Sequence, residues 1–389
     1  MSDSDPAAEQ FRRVFGAAPA GVWSAPGRVN LIGEHTDYNG GLALPIALLH
    51  RTYAAVRLRD DGRLRLSSDF SEADVVEVAV ADIAPDLPGG WASYPAGGVW
   101  ALCEAGHAVP GLDVHFCSDV PVGAGLSSSA AIECCIAAAL SDLLGLGLLD
   151  DDKGRAQLAS WCQQGENVIA RAPTGGMDQA VSMRGAEAHA MLLDCRTGDV
   201  EQVPFDLAAH GLALLVVDTR AKHALVDGQY AARRRSCEEA VAALGVATLR
   251  EVSVESLDEA LGRLDDEVTR ARVRHVVTEI DRVEQCVGAL RAEDFTEVGG
   301  LFGASHASLR DDYEVSCDEL DLAVDTATAH GALGARMTGG GFGGSAIALV
   351  RADAVDRVSS SVGDAFTAAA FRRPHCFAVT AGAAAGRDS

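Results

Sequence analysis

The chain is 389 residues long, beyond the usual size of one hydrophobic core, which points to two domains with a cleft between them. Its 48% hydrophobic content suits ordered globular structure, and no apolar stretch reaches the roughly 18 residues that a membrane span needs. With 32 Lys and Arg against 56 Asp and Glu, a formal charge of −24, most of its surface should repel nucleic acid and anionic membranes.

The acidic start Met1-Ser2-Asp3-Ser4-Asp5 lacks the basic region of a secretory leader, so a cytoplasmic location is expected. The ten cysteines form no Cys-x-x-Cys pair and mostly fall in apolar segments. Buried free thiols are therefore expected, not a zinc site or a disulfide framework. Lys153 and Lys222 are the two lysines, and neither follows a glycine. That removes the Walker A loop and the protein-kinase lysine in its usual setting. A phosphate would have to be held by backbone N–H groups, arginine and a metal.

Residues 27–41 pack Arg28, Glu34, His35, Asp37 and four glycines into fifteen positions. This composition is wrong for a core element and right for a polar ligand site. Carboxylates, an imidazole and an amide bond in fixed directions, as a ring of sugar hydroxyls requires, while the glycines let the backbone turn tightly. Alternation then predicts strands at 51–58, 74–80, 112–117 and 189–194, and spacing at three and four residues predicts helices at 92–106, 129–144 and 154–171.

Residues 120–131, between a strand and a helix, carry Gly123, Gly125, Ser127, Ser128 and Ser129. Glycines permit close backbone approach, and the free N–H groups of the helix start face an anion: phosphate-cradle chemistry without lysine. Farther on, Glu166 ends a helix and Asp178 follows Pro173-Thr174-Gly175-Gly176. One carboxylate suits a hard cation and the other an alcohol proton, although Glu166 taken alone reads equally well as a surface helix residue.

Residues 211–219 read as a buried strand opening a second half, followed by helices at 229–244, 266–292, 295–309 and 316–330. In the second of these, Val268, Val273, Val276, Val277, Ile280, Val283, Val287 and Leu290 form one apolar stripe. The loop 337–345 has five glycines in six positions, more than a hairpin turn requires, and could support the first half's site from across the cleft. A strand at 346–350, a helix at 354–370 and a strand at 375–380 complete the pattern, and the residues from Ala381 read as frayed. Strands mixed with helices in both halves indicate α+β architecture, divided near 200–210.

In this order and at these spacings the three motifs resemble the GHMP family of small-molecule kinases, and residues 27–41 narrow the resemblance to the galactokinases. The likeness extends to Phe15-Gly16, Pro19 and residues 230–235, 305–310 and 315–321. It implies an α+β fold of two domains, 1–205 like domain 2 of ribosomal protein S5 and 206–389 ferredoxin-like, with ATP and sugar in the cleft. The implied reaction transfers the ATP γ-phosphoryl group to the 1-hydroxyl of α-D-galactose, the first committed step of galactose catabolism. By matching positions, Glu34, His35 and Asp37 hold sugar hydroxyls, with Gly175, Asp178 and Tyr230 completing that site. Arg28 and Asp178 are the implied catalytic pair. Gly123, Ala124, Gly125, Leu126, Ser127, Ser128 and Ser129 wrap the phosphates, and Ser129 with Glu166 holds Mg²⁺, Ser128 being the alternative for the metal.

Galactose and ATP are thus the expected partners, nucleic acid and membrane are not, and the chain is expected to be a monomer. The competing readings are a kinase of N-acetylgalactosamine or arabinose, and a galactose sensor that binds sugar and ATP without turnover. Intact Ser128-Ser129-Ala130-Ala131, together with Arg28 and Asp178, speaks against the sensor. Two positions depart from the family pattern: Ser345 stands where a cysteine is common, and Leu42 where phenylalanine is frequent.

Overall fold

The computed structural model describes residues 5–71, 75–121, 123–221 and 226–389. The sequence features at residues 1–4, Asp74, Val122 and Lys222 lie outside them. The first half runs α1 (Asp5–Phe15), β1 (Gly21–Asn30), β2 (Leu42–Ala43), β3 (Pro45–Leu58), β4 (Arg63–Ser68), β5 (Val76–Ala79), α2 (Ser93–Glu104), β6 (Leu112–Ser118), α3 (Ser128–Leu143), α4 (Asp152–Gly165), α5 (Met177–Arg184), β7 (His189–Asp194) and β8 (Val200–Pro204). The second runs β9 (Leu212–Asp218), α6 (Val226–Leu244), α7 (Leu257–Gly262), α8 (Glu267–Arg291), α9 (Phe295–Asp311), α10 (Asp318–Ala329), β10 (Ala332–Thr338), β11 (Ser345–Arg351), α11 (Val355–Ala368), β12 (His375–Val379) and β13 (Gly386–Arg387).

Six strands form one sheet in the order β13-β1-β3-β6-β4-β5, antiparallel except for the β4–β6 pair. One face packs Trp23, Val56, Leu66 and Phe116 against Ile136, Leu140 and Leu158 of α3 and α4. The other face lies partly under α1, where Phe11 meets Val22 and Tyr53. A second, four-stranded antiparallel sheet has the order β10-β11-β9-β12, and a small one joins β2, β7 and β8. The mixed helix and strand content confirms the α+β class. The core of the second sheet is continuous with the first half: Val29, Leu31, Ile32 and Ile46 belong to the same apolar cluster as Val216, Val283 and Ile347. Among the described residues no helix is long and apolar enough to cross a membrane.

Three expectations are corrected. Residues 27–41 are not excluded from the core: β1 is buried at all ten positions, and the chain stays buried through Thr36. Polar residues enter the interior there because each finds a partner, as set out below. The residues from Ala381 are not frayed. Gly382 N–H donates to Ala47 O, Ala385 N–H to Ser182 O and Asp388 N–H to Val22 O, so the chain end is stitched to β3, α5 and β1. Val268 lies outside the stripe of α8, 51% exposed in the first turn, while Val273 to Leu290 are buried as expected. Along the edge of that stripe Arg272, His275 and Glu279 are buried as well, so α8 is not an ordinary amphipathic helix.

Candidate active site

The site begins at a kink. The β1–β3 register shifts between Pro26 and Arg28, a bulge that re-aims the strand next to the glycine–serine loop. Arg28 N–H donates to Leu126 O at 3.0 Å, and a Cβ on Gly27 would stand 2.6 Å from the same oxygen, so only glycine allows this approach. Arg28, 6% exposed, then reaches Asp178 at the start of α5. Its Nε donates to Oδ1 at 2.8 Å and Nη2 to Oδ2 at 3.0 Å, a bidentate pair, and Nη1 donates to Gly125 O at 2.6 Å. Ser127 precedes α3 in a left-handed conformation, φ 60°, and its hydroxyl does not cap the helix. It donates to Asp178 Oδ2 instead. A strained serine that gives up its cap for a carboxylate is the kind of backbone outlier that marks a functional site.

Two cavities meet at this pair. One, of about 180 Å³, is lined by Glu34, His35, Asp37 and Tyr230 among others. The other, of about 340 Å³, is lined by Gly123, Gly125, Leu126 and Ser127 to Ser129, with Gly341 and Gly343 opposite. Arg28, Asp178 and Gly340 line both. The second glycine loop, between β10 and β11, therefore closes the cleft from the far half. Ser345 ties the two loops together by donating to Ala124 O at 2.7 Å. Ser128 and Ser129 in the first turn of α3 line the second cavity, so the helix start borders it, the arrangement an anion needs.

In the first cavity Asp37 is held at about 6, raised by burial first and then by the Asp178 charge. Its Oδ1 accepts from Tyr38 N–H at 3.0 Å. Gly175 makes room for it, because a Cβ there would stand 2.0 Å from Asp37 Oδ2. His35 has φ 63°, outside the comfortable range for a residue with a side chain. Burial and then the neighbouring His275 hold its imidazole at about 3, so it is neutral, and its Nε2 has no hydrogen-bond partner among the described residues. Tyr230 sits with its ring 5.4 Å from that of His35. Glu34 faces the same space but is anchored inward. It accepts from Asn30 Nδ2 and from Gly339 N–H, both at 2.7 Å, and pairs with Arg336 at 2.6 Å.

Glu166 lies in a π-type turn, Glu166–Ala170, that ends α4, and is buried, which removes the surface-residue reading. Burial and then Asp178 raise its carboxyl to about 7, against a hydrogen bond from Ser129. Gln179 Nε2 donates to Glu166 and, at 3.0 Å, to Glu133, whose other oxygen has no partner among the described residues. Burial, then Glu166, raises the Glu133 carboxyl well above its ordinary value. Buried hard oxygens that raise one another's proton affinity beside an anion cradle fit a divalent cation such as Mg²⁺. Among the described residues no three His, Cys, Asp or Glu side chains form a cage for a metal.

The site residues predicted from the sequence border one or both cavities, apart from Gly175, which makes room for Asp37, and Ala124, which is buried behind the loop with its carbonyl held by Ser345. Sequence reasoning missed Arg336, Glu279, Gln179, Glu133 and Tyr313. Arg336 had a signal: it is a lone charge within the apolar run of β10, and it is wholly buried. Glu279, Gln179 and Glu133 look ordinary on helices, and Tyr313 looks like an ordinary connector residue between α9 and α10.

Comparison with known proteins agrees with this geometry. The family model "Galactokinase galactose-binding signature" matches residues 9–58, "GHMP kinases N terminal domain" 93–186 and "GHMP kinases C terminal" 286–368. Galactokinase of Streptomyces coelicolor is 55% identical over 380 residues, 97% of each chain, and that of Streptomyces lividans 52% identical over 374 residues, 96% of this chain and 92% of the relative. The crystal structure of Lactococcus lactis galactokinase complexed with galactose superimposes with a TM-score of 0.92 at 33% identity, covering 98% of each chain. Two cavities meeting at one arginine–carboxylate pair, the three motif matches and this identity over almost the full length place the chain in the galactokinase family of GHMP kinases.

Proposed function

We propose that the cleft transfers the γ-phosphoryl group of ATP to the 1-hydroxyl of α-D-galactose, giving galactose 1-phosphate and ADP. The chain is an ATP-dependent sugar kinase by family, and the observation that carries the detailed reading is the Arg28–Asp178 pair at the boundary of the two cavities. The sugar occupies the cavity of Glu34, His35, Asp37 and Tyr230, and the nucleotide phosphates lie on residues 123–129. Asp178 Oδ2 is already taken by Arg28 and Ser127, whereas among the described residues Oδ1 accepts from Arg28 Nε alone. We assign Oδ1 the proton of the C1 hydroxyl: as the sugar oxygen bonds to the γ-phosphorus, the bond to the ADP oxygen breaks and the proton passes to Asp178. Arg28 keeps that carboxylate oriented and offers positive charge to the phosphate oxygens.

Ser129 and Glu166, with Ser128 close by, are the residues that would hold Mg²⁺, whose charge offsets that of the β- and γ-phosphates when bound. The rest of its shell would come from phosphate and water oxygens. We keep the division of the chain at 205/206, supported by the separate sheets on either side, with the qualification that β13 returns to β1. Ten free thiols suit a reducing cytoplasm, and a charge of −24 disfavours self-association, which supports a monomer.

The test is ADP release across galactose, N-acetylgalactosamine, arabinose and glucose. Galactose should be preferred by about a hundredfold or more in kcat/KM, because a site built to pair each hydroxyl leaves its own groups stranded when one is missing or inverted. Preference for another sugar would replace the substrate. Binding of sugar and ATP with no ADP released would identify a sensor.

A further inference from the structure

A buried hydrogen-bonded chain leads away from the sugar cavity. His35 Nδ1 meets Tyr38 Oη at 2.8 Å, Tyr38 Oη meets Tyr313 Oη at 2.8 Å, and Tyr313 Oη meets Cys237 Sγ at 3.2 Å. At the far end Asn39 Nδ2 lies 3.6 Å from Cys237 Sγ, and the same nitrogen donates to His35 O at 2.8 Å. A carbonyl only accepts, so the Asn39 amide is oriented with its NH₂ toward the sulfur, and Sγ accepts there. Its thiol proton is then free for Tyr313 alone among the described partners.

From these contacts we propose that the chain Cys237, Tyr313, Tyr38 locks His35 in the Nε2–H tautomer, making that wall of the sugar cavity a fixed hydrogen-bond donor. Counting protons gives the direction. The thiol donates to Tyr313, Tyr313 to Tyr38, and Tyr38 to Nδ1, which leaves the imidazole proton on Nε2. Running the chain the other way strands the thiol proton in a buried site. Burial raises the Cys237 thiol above its ordinary value, so it keeps that proton, and His35, held at about 3, never carries two. Tyr38, Tyr313 and Cys237 are accordingly positioning residues. They require the sugar atom opposite Nε2 to be an acceptor, a demand that rests on the sugar reading of this cavity, whereas the tautomer itself does not.

The experiment uses the full chain labelled with ¹⁵N-histidine and free of sugar, with the His35 signals assigned by their loss in His35→Gln. Long-range ¹H–¹⁵N spectra should show a pyrrole-type Nε2 and a pyridine-type Nδ1. Cys237→Ala should produce a tautomer mixture, and Cys237→Ser, which restores an O–H donor, should return the single form. Tyr38→Phe should also give the mixture and raise the galactose KM about five- to tenfold, with a smaller change in kcat. A proton on Nδ1, or a tautomer unchanged in both Cys237→Ala and Tyr38→Phe, would overturn the proposal. A shifted tautomer with an unchanged galactose KM would overturn the specificity role. A chain with no galactose turnover at all would remove the functional reading instead, and the spectra would still decide the tautomer.

Discussion

Asp178 is defined by what holds it. Three donors fix its carboxylate, so replacing it with asparagine changes proton affinity more than shape. Asp178→Asn should lower kcat by about 10²- to 10⁴-fold and leave the galactose KM within about threefold in steady-state assays. Near-normal turnover would remove the base role. Asp37 behaves differently, because its carboxyl stands at about 6 against an ordinary 3.8. Between those values the native state holds a proton that the unfolded chain has released. Its contribution to stability is therefore complete below 3.8 and is lost as the pH rises through about 6. Asp37→Asn, with no charge to desolvate, should raise the sugar-free Tm near neutral pH by about 2–4 °C, with the difference vanishing toward acid. A pH-independent difference would show that Asp37 does not titrate in this window. The residue types of this site were legible in the sequence, since Glu34, His35 and Asp37 within four positions bring together side chains that bond in fixed directions, as a ligand rich in hydroxyls requires. That Glu34 faces inward to Arg336 was not legible, because its partner lies 302 positions away.

At the scale of elements, the site depends on two ends and a stitch. The start of α3 and the start of α5 converge because Arg28, at the β1 bulge, bonds to Asp178 in the first turn of α5 and to Gly125 in the loop that leads into α3. Their separate sequence signals, a serine cluster and an acid after two glycines, are both turn-like, so α5 escaped the periodicity reading: eight residues with hardly any apolar asymmetry. The Ser345 hydroxyl links the two loops. Ser345→Ala leaves Ala124 O without its donor and should raise the ATP KM about three- to tenfold while sparing the galactose KM, as initial-rate kinetics with each substrate varied would show. An equal rise in both would mean that the link holds the cleft as a whole. The other stitch is β13. Deleting residues 385–389 removes the bonds from Ala385 and Asp388 and the one that Ser389 O accepts from Val22. A loss of about 2–4 kcal/mol in urea unfolding is expected; no change would return these residues to the frayed state that their composition suggests.

Across the whole molecule, the halves are joined through a buried charge network as well as an apolar core. Arg336 of β10 pairs with Glu34 and lies 3.6 Å from Glu279, while its Nη1 donates to Leu31 O at 3.0 Å. Burial pushes the Glu279 carboxyl up, but Arg282 and Arg336 outweigh it and hold it at about 2. Removing the shared cation strands a carboxylate from the first half inside the second. Arg336→Met should cost about 3–5 kcal/mol and raise the galactose KM, and Glu34→Gln in the same chain should recover part of the stability by removing the stranded charge. Additive losses in thermal melts of the two single and the double variant would show that the pair is not coupled.

What the sequence determined by itself was chemistry: a sugar-binding set, an anion loop without lysine, two acids and a bracing glycine loop, because those functions require residue types that local composition displays. It also displayed the helices with strong three- and four-residue spacing and the strands that alternate. Only the tertiary structure decided where polar residues could be buried. β1 has no alternation because both of its faces are covered, and Arg28 and Arg336 are tolerated inside because Asp178 and Glu34, far away in the chain, neutralise them. A hydrogen bond is formed by neighbours in space, and the sequence records only neighbours along the chain.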